Sequence, residues 1–412
     1  MGALAVTDVT LGCGKPCEGR KWNPTEHTFV HANMPRSRAL FCFLLLLQVV
    51  YGCAQQLEKD TGEEAVRQTI QQNQYDLANS GRDFLLKEAR NASFFLLGEL
   101  HGENEIPALL KELWPQMSQD GYRYIAAELS PWAATQLEFA PADSQPKLVT
   151  LWSKQEALFI HPKGSAEAVL WGCDMEEEQP QLLIRDLAAL NPSNSALARM
   201  VEMSKPGYRR QMAPQLLELM GGMGGVRDRV VNDVSLVESV QTTLEIETDR
   251  LNPNTKLPAQ IRRESLMKDL FQIHYAKHVM KGSNAKVMLR FGRNHLHKGY
   301  DARGISTLGN FVAEFAFSQH KAAFNVAAFG AGGKASLAGE IWDADERSDD
   351  VAFELLASLA QYPATVFDLR PLREMLHRIP AENRTPRLQR LVYWADSYDA
   401  ILCYKNVTSL SQ

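Results

Sequence analysis

A chain of 412 residues, 45% of them hydrophobic and carrying a net charge of −5, can bury one large or two medium cores. The charge is too small for a nucleic-acid surface and no run of like charge forms a tail, so nucleic-acid binding is excluded as a leading function. Of six cysteines only Cys173 and Cys403 lie in the body of the chain, either paired or free and buried, which rules out a disulfide scaffold.

Residues 1–33 lack hydrophobic periodicity and read as a non-native or unstructured extension. Met34-Pro35-Arg36-Ser37-Arg38 then introduces the apolar run 39–51, which ends on Gly52-Cys53-Ala54. A basic start, a short apolar stretch and a small-residue exit make residues 34–54 a signal peptide or lipoprotein signal. The run is too short for a comfortable membrane span. Val50-Tyr51-Gly52-Cys53 is similar to a bacterial lipobox, in which Cys53 would carry lipid and anchor the chain to a membrane; a simple cut after Ala54 is the other reading. Either way residues 55–412 are expected to be secreted, periplasmic or attached to the outer envelope.

Residues 55–90 are polar and helix-prone. The first strong strand is Phe94-Phe95-Leu96-Leu97, an apolar run without alternation, as expected where both faces of a parallel sheet are covered. It stops on Gly98-Glu99-Leu100-His101-Gly102, a turn that leaves a carboxylate and an imidazole beside the carboxyl edge of the sheet. Ligands bind at that edge in open α/β folds. Ile106, Leu109, Leu110, Leu113 and Met117 then recur at helical spacing. A second strand over 122–127 closes on Glu128, with Ser130-Pro131 opening the next helix. A third, over 168–173, closes on Asp174.

From about 175 to 282 the pattern is helical, with breaks at Asn191-Pro192, Lys205-Pro206-Gly207, the glycine cluster at 221–225 and Leu251–Asn254. This reads as an insertion over the active edge, the glycine cluster being a turn between helices in preference to the hinge of a lid. Within it His274 and His278 stand four apart, which reads as an ordinary amphipathic face. Strands resume over 285–291, followed by Gly292-Arg293-Asn294-His295-Leu296-His297, and again over 323–329, 364–369 and 400–404. Helices are expected over 306–318, 349–361 and 371–378. Strands alternating with helices predict a three-layer α/β fold with a mainly parallel sheet, flanking helices and a long helical insertion.

Several strands thus end in reactive groups: Glu99 and His101, Glu128, Asp174, and His295 with His297. Parallel packing brings such ends to one edge. Gly98-Glu99-Leu100-His101-Gly102, the strand closing on Glu128, Gly172-Cys173-Asp174 and Arg263-Glu264-Ser265-Leu266-Met267 together resemble the erythromycin esterase-like family. The wider Tiki/TraB/ChaN-like superfamily shares two Gly-x-x-His motifs with a glutamate between them, standing here as Gly98 to His101, Gly292 to His295, and Glu128. Thr307-Leu308-Gly309 is similar as well, and the resemblance spans roughly residues 92–320.

The resemblance implies an exported hydrolase of an ester, lactone or amide. His101, Glu99, Glu128 and His295 would form its reacting centre, and Arg263, Asp174, Asn294 and His297 would contact a small-molecule or peptide substrate. Two mechanisms fit these residues. In one, His101 takes a proton from water, Glu99 or Glu128 orients the ring, and Arg263 or His295 meets the oxyanion. In the other, His101, His295 and Glu99 or Glu128 hold a divalent ion, zinc or manganese, that acidifies the water. The superfamily also implies two alternatives: a haem- or ligand-binding exported lipoprotein of the ChaN kind, or a metal-dependent protease of the Tiki/TraB kind. The family prefers aspartate where Glu264 stands, and the insertion has no motif matching a macrolide pocket, so esterase chemistry is implied rather than a macrolide substrate. No Gly-x-Ser-x-Gly elbow and no His-Glu-x-x-His helix exist, which excludes a serine hydrolase of that fold and a zincin. Gly330-Ala331-Gly332-Gly333-Lys334 lacks the spacing of a phosphate loop.

Overall fold

Phe94–Glu99 (β2) is buried at every position and runs through the middle of the molecule. Its side chains alternate between two separate apolar clusters: Phe95 and Leu97 belong to one, Phe94 and Leu96 to the other. The strand is therefore covered on both faces, which is why its sequence shows no polar alternation. The computed structural model describes residues 62–140, 152, 169–280, 284–337 and 339–410, all within the unit Gln55–Gln412. The signal at 34–54 with Cys53 lies outside the described residues, as does Ala168 at the start of the third expected strand.

The remaining strands are Gln74–Asp76 (β1), Tyr122–Ala127 (β3), Leu170–Gly172 (β4), Lys286–Gly292 (β7), Ala323–Leu337 (β8), Glu340–Asp345 (β9), Ala364–Asp368 (β10) and Ala400–Tyr404 (β11). Val230–Val231 (β5) and Val234–Ser235 (β6) form a small hairpin of their own. The nine-stranded sheet has the order β1-β10-β11-β8-β2-β7-β3-β4, with β9 paired to β8. From β11 to β4 all neighbours are parallel. Only β10, between β1 and β11, and β9 run against this direction. The three-layer, mainly parallel α/β fold is the one the alternation of strands and helices predicts.

Between β4 and β7 lies the helical insertion: Pro180–Leu190, Ser195–Ser204, Ala213–Gly221, Leu236–Arg250 and the long Lys256–His278. The glycine cluster does not join two helices directly. It ends Ala213–Gly221 and leads into the β5–β6 hairpin, which then feeds Leu236–Arg250. Two further elements go beyond the sequence expectation. The strand over 323–329 continues through Gly330-Ala331-Gly332-Gly333-Lys334 to Leu337 and folds back as β9. Pro386–Ser397 is a helix capped by Thr385, burying Leu388, Leu391 and Trp394 at helical spacing. Cys173 and Cys403 are buried and not joined.

The helix Leu308–Ser318 packs so closely on the segment after β7 that a Cβ at Gly309 would overlap the Leu296 backbone. This gives a physical reason for the glycine in Thr307-Leu308-Gly309. Gly309→Ala is expected to cost about 1–3 kcal/mol through overpacking, read as a lower denaturation midpoint. Gly222→Ala, whose Cβ would come no nearer than 3.6 Å to Leu219 O, serves as the control and should leave the midpoint nearly unchanged.

Candidate active site

The chain leaves adjacent strands β2 and β7 in opposite directions: β2 crosses over β7 to reach β3, and β7 crosses over β2 to reach β8. The intervening helices, Glu105–Gln119 and Leu308–Ser318, consequently pack into different apolar clusters on opposite faces of the sheet. A crevice opens between the carboxyl ends of two such strands. Glu99 and His101 stand at one side of it, Gly292 to His295 at the other.

Glu128, one residue beyond β3, occupies the centre. Its Oε2 accepts the Gly292 N–H at 2.7 Å, and its Oε1 accepts from Arg263 Nη2 at 3.0 Å. Two imidazoles flank it, His101 Nε2 at 3.5 Å from Oε2 and His295 Nε2 at 3.4 Å from Oε1. Each ring is held on its far side by another carboxylate. Glu99 Oε1 lies 3.1 Å from His101 Nδ1, while its Oε2 accepts from Arg290 Nε at 2.7 Å. Glu264 Oε1 lies 2.5 Å from His295 Nδ1, while its Oε2 accepts the Leu308 N–H at 3.0 Å. Arg263 is fixed in turn by Asp174, which accepts from its Nε at 2.9 Å, and by Glu177 at 2.9 Å from Nη2. The His101 side chain is 30% exposed, against 10% for His295 and 7% for Glu128, so His101 is the member that meets the crevice.

The charges follow from this packing. Burial disfavours the charge on His295, but Glu128 and Glu264 outweigh it and push the pKa up to about 10, so this ring is an imidazolium at neutral pH. Burial also opposes charge on His101, and the carboxylates of Glu128 and Glu99 prevail there too, raising it above the ordinary 6.5. Burial alone would raise Glu128, yet His295, His101 and Arg263 hold it well below the usual carboxylate range. Glu99 is likewise kept low against burial by Arg290 and His101.

Arg263 and Asp174, expected to touch substrate, are brought to the cluster as the buried support of Glu128. Asn294 and His297 face elsewhere. They line a second cleft of about 310 Å³ with Arg303, Arg390 and Tyr393, where the Tyr393 hydroxyl lies 3.1 Å from His297 Nδ1. Burial lowers the His297 pKa to about 4, leaving a neutral ring. Three residues of the crevice were not assigned to it from sequence. Glu264 is adjacent to Arg263 on the long helix, and Arg290 is a charge inside the buried strand β7, a signal in itself. Glu103 is buried with neither oxygen hydrogen-bonded among the described residues, and burial with the nearby Glu99 charge pushes its pKa well above the usual carboxylate range. A Cβ at Gly292 would sit 2.6 Å from His101 Nε2 and 3.2 Å from Glu128 Oε2, so any side chain there would displace the site's own groups.

The crevice donors are spaced for ion pairing around Glu128. Among the described residues they do not form a group of three ligand atoms within 4.8 Å of one another, so this donor set does not fit the divalent ion the resemblance allows.

A histidine–carboxylate crevice at the switch point of a mainly parallel sheet defines the class. The fold is shared with a protein from Bacillus cereus, at TM-score 0.53 and 13% identity over 84% of this chain and 98% of that one. It is shared also with a mutant of the erythromycin esterase EreC in its open conformation, at TM-score 0.50 and 12% identity over 82% and 96%. The chain thus has an erythromycin esterase-like fold. ChaN of Campylobacter jejuni, a structure with cofacial haem, reaches a TM-score of 0.30 at 15% identity over 64% of this chain and 89% of that one, too low to support a haem site here. No family pattern matches the chain, and no curated protein matches it in sequence.

Removing Arg263 leaves three carboxylates without their shared cation. Arg263→Met is expected to lower stability by about 3–5 kcal/mol at neutral pH. The loss should shrink as pH falls and Glu128, Asp174 and Glu177 take up protons, which urea denaturation at a series of pH values would read.

Proposed function

We propose that the chain is a hydrolase of a carboxylic ester, lactone or amide, in which water is activated by His101. The observation that carries this reading is a pair of histidines made unequal by their surroundings: an accessible His101 oriented by Glu99 and, across Glu128, a buried imidazolium at His295. With the Nδ1 proton directed to Glu99, the Nε2 lone pair of His101 can take a proton from water as the water oxygen attacks the substrate carbonyl. The His295 cation favours the negative charge that builds on the carbonyl oxygen. When the tetrahedral species collapses, His101 returns its proton to the departing alkoxide or amine. The acid and the alcohol or amine then leave.

Export belongs to the same proposal and rests on the sequence of residues 34–54, with Cys53 as the candidate membrane anchor. Among the described residues no helix is long and apolar enough to cross a membrane.

The test is hydrolysis of a panel of esters, lactones and peptides with and without a strong chelator. Turnover that survives chelation and falls by about 10²-fold or more in His101→Ala is the expected outcome. Gly292→Ala should lose turnover as well while keeping its far-ultraviolet circular dichroism, since the atoms nearest the added Cβ belong to the side chains of His101 and Glu128 and not to backbone. The base works deprotonated, so kcat/KM should rise through a pKa above 6.5 and fall again near 10 as His295 loses its proton. Undiminished turnover in His101→Ala would sink the proposal.

A further inference from the structure

At the free edge of the sheet, beside β4, a second group of side chains converges that hydrolysis does not use. Asn232, in the turn of the β5–β6 hairpin, completes the hydrogen bonding of that edge: its Oδ1 accepts the Gly172 N–H at 2.7 Å, and its Nδ2 donates to Leu170 O at 2.8 Å. Asn232 and Asp233 both adopt positive φ, 43° and 69°, and this turns the Asp233 carboxylate toward the helix Lys256–His278. There it meets His274 and His278, one helical turn apart on a single face. The two histidines are thus not the ordinary amphipathic face their surroundings suggest in sequence.

His274 is fully buried, with Nε2 3.2 Å from Gly172 O and Nδ1 3.0 Å from Asp233 Oδ2. A carbonyl oxygen can only accept, so Nε2 carries the proton. In a neutral imidazole that leaves the Nδ1 lone pair facing a carboxylate oxygen, two acceptors in opposition. His278 Nε2 addresses the same oxygen from 2.5 Å, and Lys277 Nζ takes Oδ1. Nitrogens of His274, His278 and Lys277 thus converge on one carboxylate. A divalent cation among them would be ligated by Asp233 Oδ2, His274 Nδ1 and His278 Nε2 with both rings neutral. One atom from each of Asp233, His274 and His278 lies within 4.8 Å of the others, the one such group among the described residues.

We propose that Asp233, His274 and His278 form a zinc site that clamps the β5–β6 turn and the end of the long helix onto the free edge of the sheet. Two imidazole nitrogens and one carboxylate oxygen suit zinc better than magnesium or calcium, which prefer oxygen alone. The His274 N–H on a backbone carbonyl is the outer contact that orients a metal-ligating histidine. The partly exposed side chains of Asp233 and His278, at 13% and 22%, give the ion a path from solvent and leave room for a water as fourth ligand.

Trp171 reports on this site, because its ring stacks on His274 with centroids 5.4 Å apart. The full chain, stripped by chelation and titrated with Co²⁺, should lose part of its tryptophan fluorescence, and Zn²⁺ should raise its thermal midpoint by several degrees. After dialysis against Zn²⁺ it should retain one equivalent. His278→Gln, a change at the more exposed ligand, should abolish the quenching and the zinc-dependent midpoint shift while leaving the metal-free midpoint close to that of the parent. His101→Ala should keep all three effects, and Trp171→Phe should retain zinc but lose the quenched component. Zinc removal should leave kcat/KM below the midpoint unchanged. Failure of the parent to retain zinc, equal retention by His278→Gln, or loss of the effects in His101→Ala would each overturn the assignment, the last by moving the ion to the crevice.

Discussion

The crevice depends on the ionised state of one buried carboxylate. Glu128 is taken out of water and keeps its charge because the Gly292 N–H, Arg263, His101 and His295 surround it. Those partners come from the ends of β2 and β7 and from the helical insertion, so the charge also fastens the insertion to the sheet. Loss of any one leaves a buried charge short of a partner, which costs far more than the pair itself contributes. Arg263 and Asp174 are best understood in this way: they set the position and charge of Glu128, and through it the two histidines.

Two chemically identical rings are driven apart by what surrounds them. His295 lies between Glu128 and Glu264 with little contact to solvent and holds its proton. His101 lies between Glu128 and Glu99 with its edge in the crevice, where a proton can come and go. Such divergence between neighbouring titratable groups is how one fold assigns separate roles to similar residues. The likeness to EreC fixes the fold at 12% identity and no more. Superfolds host many chemistries, so the functional reading rests on the crevice itself.

Much of this was legible in the sequence. An apolar run stopping on Gly98-Glu99-Leu100-His101 announces a covered strand with polar groups at its end, and parallel pairing brings Glu128 and His295 to the same place. What sequence could not supply was the partner across space. Arg290 is conspicuous inside β7, but only the register that sets it beside Leu97 shows that it reaches Glu99. Glu264 is visible as a neighbour of Arg263, yet its contact with His295 depends on how the long helix docks. Helical periodicity at His274 and His278 says nothing of Asp233, which arrives from a hairpin elsewhere in the insertion. His297 shows the opposite limit: two residues from His295, it was expected near substrate, and the turn after β7 sends it among Tyr393, Trp394 and Tyr398 instead.

The most direct measurement is an NMR titration of the imidazole protons of His101 and His295 in the parent protein and in Glu128→Gln. The expected result is a His295 that stays protonated to about pH 10 and a His101 midpoint above 6.5 in the parent, with both falling when Glu128 loses its charge. Two histidines that titrate together near 6.5 in the parent, or midpoints that do not move in Glu128→Gln, would contradict the organising role given to Glu128.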